Sequence, residues 1–242
     1  VRNQSLDSNL WHKVVFREKL LGKLARKVIV TSQRDMVSLI SIGVASQKIT
    51  VIPNYIDERV FFPSSHEPTD SEVDVLYVGR LEHQKNFPAL ARAIVELKAS
   101  SIIVGSGSLE AAIGEIQLTT SAQWIKHIDN LKLPSLMRRS RVFVLPSFYE
   151  GHPKSLIEAM AAGMCVVASD SPGIREIIEE GVTGILVEAS PEGLTRGLRK
   201  VLGDRELRVD LGSNAARFAR SEYGLSSVLK AEVAVYTAIV KE

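Results

Sequence analysis

The chain has 242 residues, 45% of them hydrophobic and 24% charged, which is enough apolar material to bury a substantial core and sets disorder aside. Thirty basic residues against 28 acidic leave a formal net charge of +2, too small for charge alone to argue for nucleic acid or a polybasic membrane contact, so any electrostatic site has to be local. A single cysteine, Cys165, offers no intrachain disulfide framework and is compatible with a reducing cytoplasm, and no apolar run approaches the roughly 20 residues of a membrane span.

The opening is polar as far as Asn9. A helical period then runs over 11–24 with no preceding unit to pack against, which reads as the start of a fragment. Runs rich in β-branched residues follow at 28–32 and 49–53. The stretch 57–72, with Pro63, Ser64, Ser65, Pro68 and Thr69, has no period and reads as a linker. Beyond it, strand-like runs at 73–79, 101–105, 123–128, 142–146, 165–169 and 184–187 alternate with helices predicted over 87–98, 108–115, 134–139, 154–162, 174–180, 192–202 and 206–221. This alternation predicts an α/β fold, a doubly wound parallel sheet of six strands spanning about 73–222. Several strands are apolar on consecutive positions, as strands covered by helices on both faces should be. Gly163 and Gly181 stand where helices are expected to stop. A last helix over 226–240 carries Val228, Leu229, Val233, Tyr236, Ile239 and Val240, without an evident docking partner.

In an open parallel sheet, ligands bind beyond the carboxyl ends of the strands, so the chemistry is sought in the loops there. The first, Gly79-Arg80-Leu81-Glu82-His83-Gln84-Lys85-Asn86, puts two cations ahead of a helix N-terminus, an arrangement suited to phosphate as much as to a solvated loop. The second, Gly105-Ser106-Gly107-Ser108-Leu109-Glu110, is near the dinucleotide fingerprint but has Glu110 in place of the third glycine, so a nicotinamide cofactor has little support. The third holds Glu150, Gly151, His152, Pro153, Lys154, Ser155, Leu156 and Glu158. Pro153 suits the first helical position, which would aim free amides at the loop. Glu150 and Glu158 are too far apart for one acid–base pair and fit the two ends of an extended polar ligand. The fourth, Ser169-Asp170-Ser171-Pro172-Gly173, allows a close backbone approach, with Asp170 read first as a turn cap. The remaining histidines, His12, His66, His83 and His127, have no metal-ligand spacing.

Taken in order, Val30-Thr31-Ser32, Val51-Ile52-Pro53-Asn54, Val78-Gly79-Arg80-Leu81 with Gln84-Lys85-Asn86, Val104-Gly105-Ser106-Gly107, Val144-Leu145-Pro146-Ser147, Glu150-Gly151 through Glu158-Ala159-Met160 and Gly181-Val182-Thr183-Gly184 resemble the donor-binding half of the retaining GT-B glycosyltransferases of family 4. Each motif alone is weak, and seven in the family's order are strong.

That resemblance implies a Rossmann-like domain, the C-terminal half of a GT-B fold, at 55–225. Residues 1–54 would be a remnant of a preceding acceptor-side domain with its linker strand, and 226–242 a helix that crosses back to it. It implies transfer of a hexose-type sugar, with retention, from a UDP-, GDP- or ADP-sugar to a glycan or lipid-linked acceptor, the isolated chain being incomplete as an enzyme. Arg80 and Lys85 would hold the diphosphate and Glu158 the ribose. Glu150 and the amides of Gly151 to Ser155 would meet the sugar, with Ser155 and Leu156 near the phosphates and Gly79 keeping the first loop close. The backbone of His127 to Asn130 would face the base. No metal and no other cofactor is expected, nor any nucleic-acid partner, and the location expected is cytoplasmic, with the inner membrane face as a second setting. His152 departs from the family's usual Phe or Leu, and either touches a sugar hydroxyl or points to solvent. A nucleotide-sugar-binding module without catalysis, and an epimerase or phosphorylase on the same fold, stay open as alternatives.

Overall fold

The computed structural model describes residues 8–63 and 73–241. They form two compact units, one of the residues up to Asn54 together with those from Ser226 onward, the other Tyr55–Leu225.

The first unit begins with α1 (Ser8–Leu24), β1 (Val28–Val30), α2 (Gln33–Ser41) and β2 (Ile49–Val51). The two strands pair in parallel, Val28 opposite Ile49. Ser32 starts α2 as its N-cap, the hydroxyl accepting from the Asp35 N–H at 3.1 Å.

The second unit holds β3 (Val73–Val78), α3 (Phe87–Leu97), β4 (Ser101–Val104), α4 (Ala111–Thr119), β5 (Ala122–Ile125), α5 (Leu133–Met137), β6 (Ser140–Leu145), α6 (Lys154–Ala161), β7 (Cys165–Ser169), β8 (Ile185–Val187), α7 (Pro191–Gly203) and α8 (Arg205–Tyr223). Its six strands are parallel, in the order β5-β4-β3-β6-β7-β8. Side chains alternate between two cores: Leu76, Phe143 and Val166 face α5, α6 and α8, while Val75, Tyr77, Val142, Val144 and Val167 face α3, α4 and α7. Burial on both faces is why these strands are apolar at consecutive positions. The order reverses between β3 and β6, so the loops after those two strands flank the switch point where a doubly wound sheet opens a crevice.

The last element, α9 (Leu225–Lys241), belongs mostly to the first unit. There Val228, Val235 and Ile239 pack with Ile52, which gives the helix its partner. The apolar face is narrower than the sequence implied, since Leu229, Val233, Tyr236 and Val240 are exposed.

Three local expectations change. The stretch 57–63 is not a free linker: Ile56 and Phe61 are buried in the larger core, and Ile56 bonds across to the Tyr223 carbonyl at 2.8 Å and the Leu225 N–H at 3.0 Å; the rest of the proposed linker lies outside the described residues. The helix expected at 174–180 is a chain of turns, because the Glu179 N–H is taken by the Thr183 hydroxyl at 2.9 Å instead of continuing a helical ladder. And α4 starts later than its period suggested. Ser108 spends its N–H and hydroxyl on Glu82, and the Leu109 N–H goes to the Leu81 carbonyl, so the helix begins only at Ala111. Among the described residues, no helix is long and apolar enough to cross a membrane.

Candidate active site

The loop after β3 is held from below and from the side. The buried Tyr77 hydroxyl donates to the Arg80 carbonyl at 2.8 Å, and a Cβ on Gly79 would stand 2.9 Å from that phenol oxygen. Alongside, the Gly79 N–H bonds to the Val104 carbonyl and the Leu81 N–H to the Ser106 carbonyl, at 3.0 and 2.9 Å. Gly105, at φ +135°, lies so near that a Cβ there would strike the Gly79 carbonyl. The glycines of the fingerprint-like loop therefore serve loop-to-loop packing, which accounts for them without a dinucleotide. Arg80 itself is exposed. The carboxyl of Glu82 is held below the usual range by the Ser108 hydroxyl first, then by the Ser108 N–H, with Arg80 adding a smaller pull.

From this frame one 3₁₀ turn (His83–Lys85) carries Lys85 inward. Its Nζ donates to Glu150 Oε1 at 2.6 Å, with the two side chains only 13% and 8% exposed. The Ser147 hydroxyl donates to the same oxygen at 2.6 Å. Both bonds fall on Oε1, and Oε2 has no hydrogen-bond partner among the described residues. Gln84 ties the two loops together: its carbonyl accepts from the Phe148 N–H at 3.0 Å and its amide donates to the Tyr149 carbonyl at 2.9 Å.

The fourth loop buttresses Glu150. Its N–H bonds to the Pro172 carbonyl at 2.9 Å, and the Ser171 hydroxyl bonds to the Ser147 carbonyl at 2.9 Å. Gly173, at φ +85°, leaves no room for a Cβ against the Glu150 carbonyl, so an L side chain there is excluded by conformation and contact together. Asp170 does not cap the turn; its carboxylate takes the Arg175 Nε at 2.6 Å on the surface, which holds it below the usual range.

Helix α6 begins at Lys154, the start of the run expected, and Pro153 is its N-cap instead of its first helical residue. The Lys154 and Ser155 N–H groups then lie in the first turn, where no intrahelical carbonyl is available. The Leu156 side chain is buried in the core and its N–H bonds to the Pro153 carbonyl at 3.2 Å, so Leu156 anchors the helix. Four residues into α6, Glu158 is 3% exposed. Burial raises its carboxyl above the ordinary value, against smaller opposing pulls from the Asn130 side chain and from Lys154. Asn130 donates to Glu158 Oε1 at 3.3 Å, on a turn capped by Asp129, whose carboxylate takes the Leu131 N–H at 2.9 Å.

The carboxyl ends of β3 and β6 thus bring together Arg80, a Lys85–Glu150 pair, Glu158 and the start of α6. Ser147, Asn130, Gln84 and Tyr77 were not singled out as site residues: Gln84 and Asn130 act on partners 65 and 28 residues away, which spacing cannot show, whereas Ser147 and Tyr77 reach partners only three residues along the chain. Among the described residues no three His, Cys, Asp or Glu side chains gather as a metal site would require. Cys165, buried in β7, has its thiol pushed up to about 12 by burial, which leaves it inert.

A family model described as glycosyl transferases group 1 matches residues 59–218. The chain belongs to that family. An uncharacterised glycosyltransferase of Methanocaldococcus jannaschii is 30% identical over 217 residues, 86% of this chain and 55% of that protein. By structure, this group 1 glycosyltransferase chain is similar to the sucrose-phosphate synthase of Thermosynechococcus elongatus, with a TM-score of 0.87 at 24% identity over 100% of this chain and 64% of that one. It is similar in fold to HepE of Anabaena, solved in complex with UDP-glucose, with a TM-score of 0.83 at 20% identity over 96% and 68%. The chain spans about half the length of the relatives it matches.

In this group 1 chain, His152 does not point into solvent. Its ring packs edge-on against Tyr223 at 4.8 Å, and burial pushes its pKa down to about 4, so the imidazole is neutral at pH 7. The unfolded chain protonates this histidine first, so the protein loses stability as pH falls from the ordinary histidine value toward the depressed one. Chemical denaturation should therefore show the wild type losing about 1 kcal/mol more than His152→Phe roughly one pH unit below the ordinary histidine value. Parallel pH profiles for the two proteins would mean that the ring is solvated.

Proposed function

We propose that these residues form the donor half of a retaining glycosyltransferase that moves a hexose-type sugar from a nucleotide sugar to a glycan or lipid-linked acceptor. What supports the reading above all is the pairing of Lys85 with Glu150 beside Glu158 and the start of α6, at the switch point of the sheet. The complex of HepE with UDP-glucose, in the same fold, supports a nucleotide sugar as the ligand.

In this reading Arg80 offers the diphosphate a planar fork. Lys85 gives one of its three N–H bonds to Glu150 and turns the others to the phosphates. The Lys154 and Ser155 amides add the positive end of α6. Negative charge grows on the diphosphate as the glycosidic bond breaks, so cations held in place before the reaction stabilise the transition state more than the ground state, with no metal needed. Glu150 keeps Oε2 for a sugar hydroxyl, while Glu158, steadied by Asn130, accepts from the ribose. The residues that hold the acceptor belong to the part of the relatives beyond this match.

The test is a thermal-shift screen of the chain against UDP, GDP, ADP and their common sugar conjugates. A ligand that binds only the folded state raises Tm with concentration, and one base series should do so, its sugar conjugate included. Flat melting curves with every nucleotide would sink the proposal.

A further inference from the structure

A cavity of about 610 Å³ lies in the Tyr55–Leu225 unit, away from the loops described above. Its wall includes Ser140 and Cys165, the first residues of β6 and β7. The nucleotide loops follow the last residues of such strands, so the two places are separated by a strand length, roughly 17–20 Å.

Among the described residues six arginines line it: Arg138 at the end of α5, Arg141 in β6, and Arg205, Arg208, Arg217 and Arg220 from α8. Among the described residues that line it there is no aspartate, glutamate or lysine. In a chain whose formal charge is only +2, this is a concentrated local field. Arg141 is tied to Asp74 at 2.9 Å, and Arg208 to the Val201 and Leu202 carbonyls at 2.7 and 3.0 Å. Arg217 reaches the Asn214 side-chain oxygen. Arg220, also on the wall, has its Nη1 without a hydrogen-bond partner among the described residues. A buried guanidinium N–H without an acceptor is costly, and a bound anion would supply one. Met164 and Val209 give the cavity apolar wall, and its volume falls within the range of small-molecule sites, about 300–1,000 Å³.

We infer that this cavity is a second ligand site, separate from the nucleotide loops, for a phosphate-bearing anion. Arginine forks engage two phosphate oxygens at once, and several converging on one space suit a ligand with more than one negative charge. The inference stands whether or not the donor reading above holds, since no residue is shared.

The test is calorimetric titration of the chain with sodium tripolyphosphate at low salt, repeated on Arg138→Glu and Arg217→Glu. Both residues are exposed, so these variants should keep the wild-type circular dichroism spectrum. Each reversal is expected to weaken tripolyphosphate binding tenfold or more, whereas Arg80→Glu, on the other loop, leaves a tripolyphosphate site in place. Flotation with phosphatidylglycerol vesicles separates two sources of the phosphate. Vesicle binding that tripolyphosphate displaces and Arg138→Glu abolishes identifies a lipid headgroup; tripolyphosphate binding without vesicle binding identifies a free phosphorylated compound. No heat with wild-type protein, or affinity untouched by both charge reversals, would overturn the inference.

Discussion

Exchange of Lys85 for alanine is expected to cost the fold about 3–5 kcal/mol, in addition to whatever phosphate contact is lost. Lys85 and Glu150 are both almost fully buried, and their 2.6 Å bond is the main compensation for taking two charges out of water. Removing the ammonium leaves the Glu150 carboxylate buried with only the Ser147 hydroxyl on Oε1, and an uncompensated buried charge is among the most destabilising lesions known. Replacing both partners by apolar residues, as in Lys85→Met with Glu150→Leu, should recover most of the lost stability, because no charge then needs a partner. Nucleotide binding should not recover with it. Urea unfolding of the two variants, paired with titration of the nucleoside diphosphate found in the thermal screen, separates the two roles. A cost below about 1 kcal/mol for Lys85→Ala would mean that the pair behaves as a solvated surface ion pair. Arg80→Ala, by contrast, should leave stability nearly unchanged, since Arg80 is exposed.

Glu158→Ala is expected to weaken nucleoside diphosphate binding by about 1.5–3 kcal/mol, roughly ten- to 150-fold in Kd, through the loss of charge-assisted hydrogen bonds to the ribose. Glu158→Gln distinguishes that loss from damage to the fold. In the native protein burial holds the Glu158 carboxyl above its ordinary value. Between the unfolded and folded values the native state therefore binds more protons than the unfolded chain, and stability falls as pH rises through that window. Glutamine has no proton to lose and can still accept from Asn130, so Glu158→Gln should match the wild type at acid pH and become the more stable protein at neutral pH. Its nucleotide affinity should nonetheless drop. A glutamine variant that binds the nucleotide as tightly as the wild type would remove Glu158 from the ribose.

Much of this was legible in the residues. The six runs from 73 to 187 became six parallel strands because each is apolar enough to be buried on both faces, and α6 ends just before Gly163, which takes a positive φ as a helix stop should. The start of α6 and the position of Glu158 on it were within one residue of the expectation. What failed did so for local reasons. Residues 174–180 have helical hydrophobic spacing, with Ile174, Ile177 and Ile178 buried as a helix would bury them, yet a hydroxyl nine residues after Ile174 captures the amide that would have continued the ladder.

By itself, the sequence determined the class of fold, the order of its elements and which loops carry charge, since these depend on periodicity and composition within short windows. Only the tertiary structure decided what those charges do. Lys85 meets Glu150 across 65 residues of chain. Asn130 meets Glu158 across 28, and Gly105 matters because the Gly79 carbonyl lies against it. Arg138 and Arg220, unremarkable in two separate stretches, line one cavity because α5 and α8 lie on the same side of the sheet. Contacts of this kind form where strand pairing brings distant loops within a few ångströms, and periodicity along the chain carries no record of them.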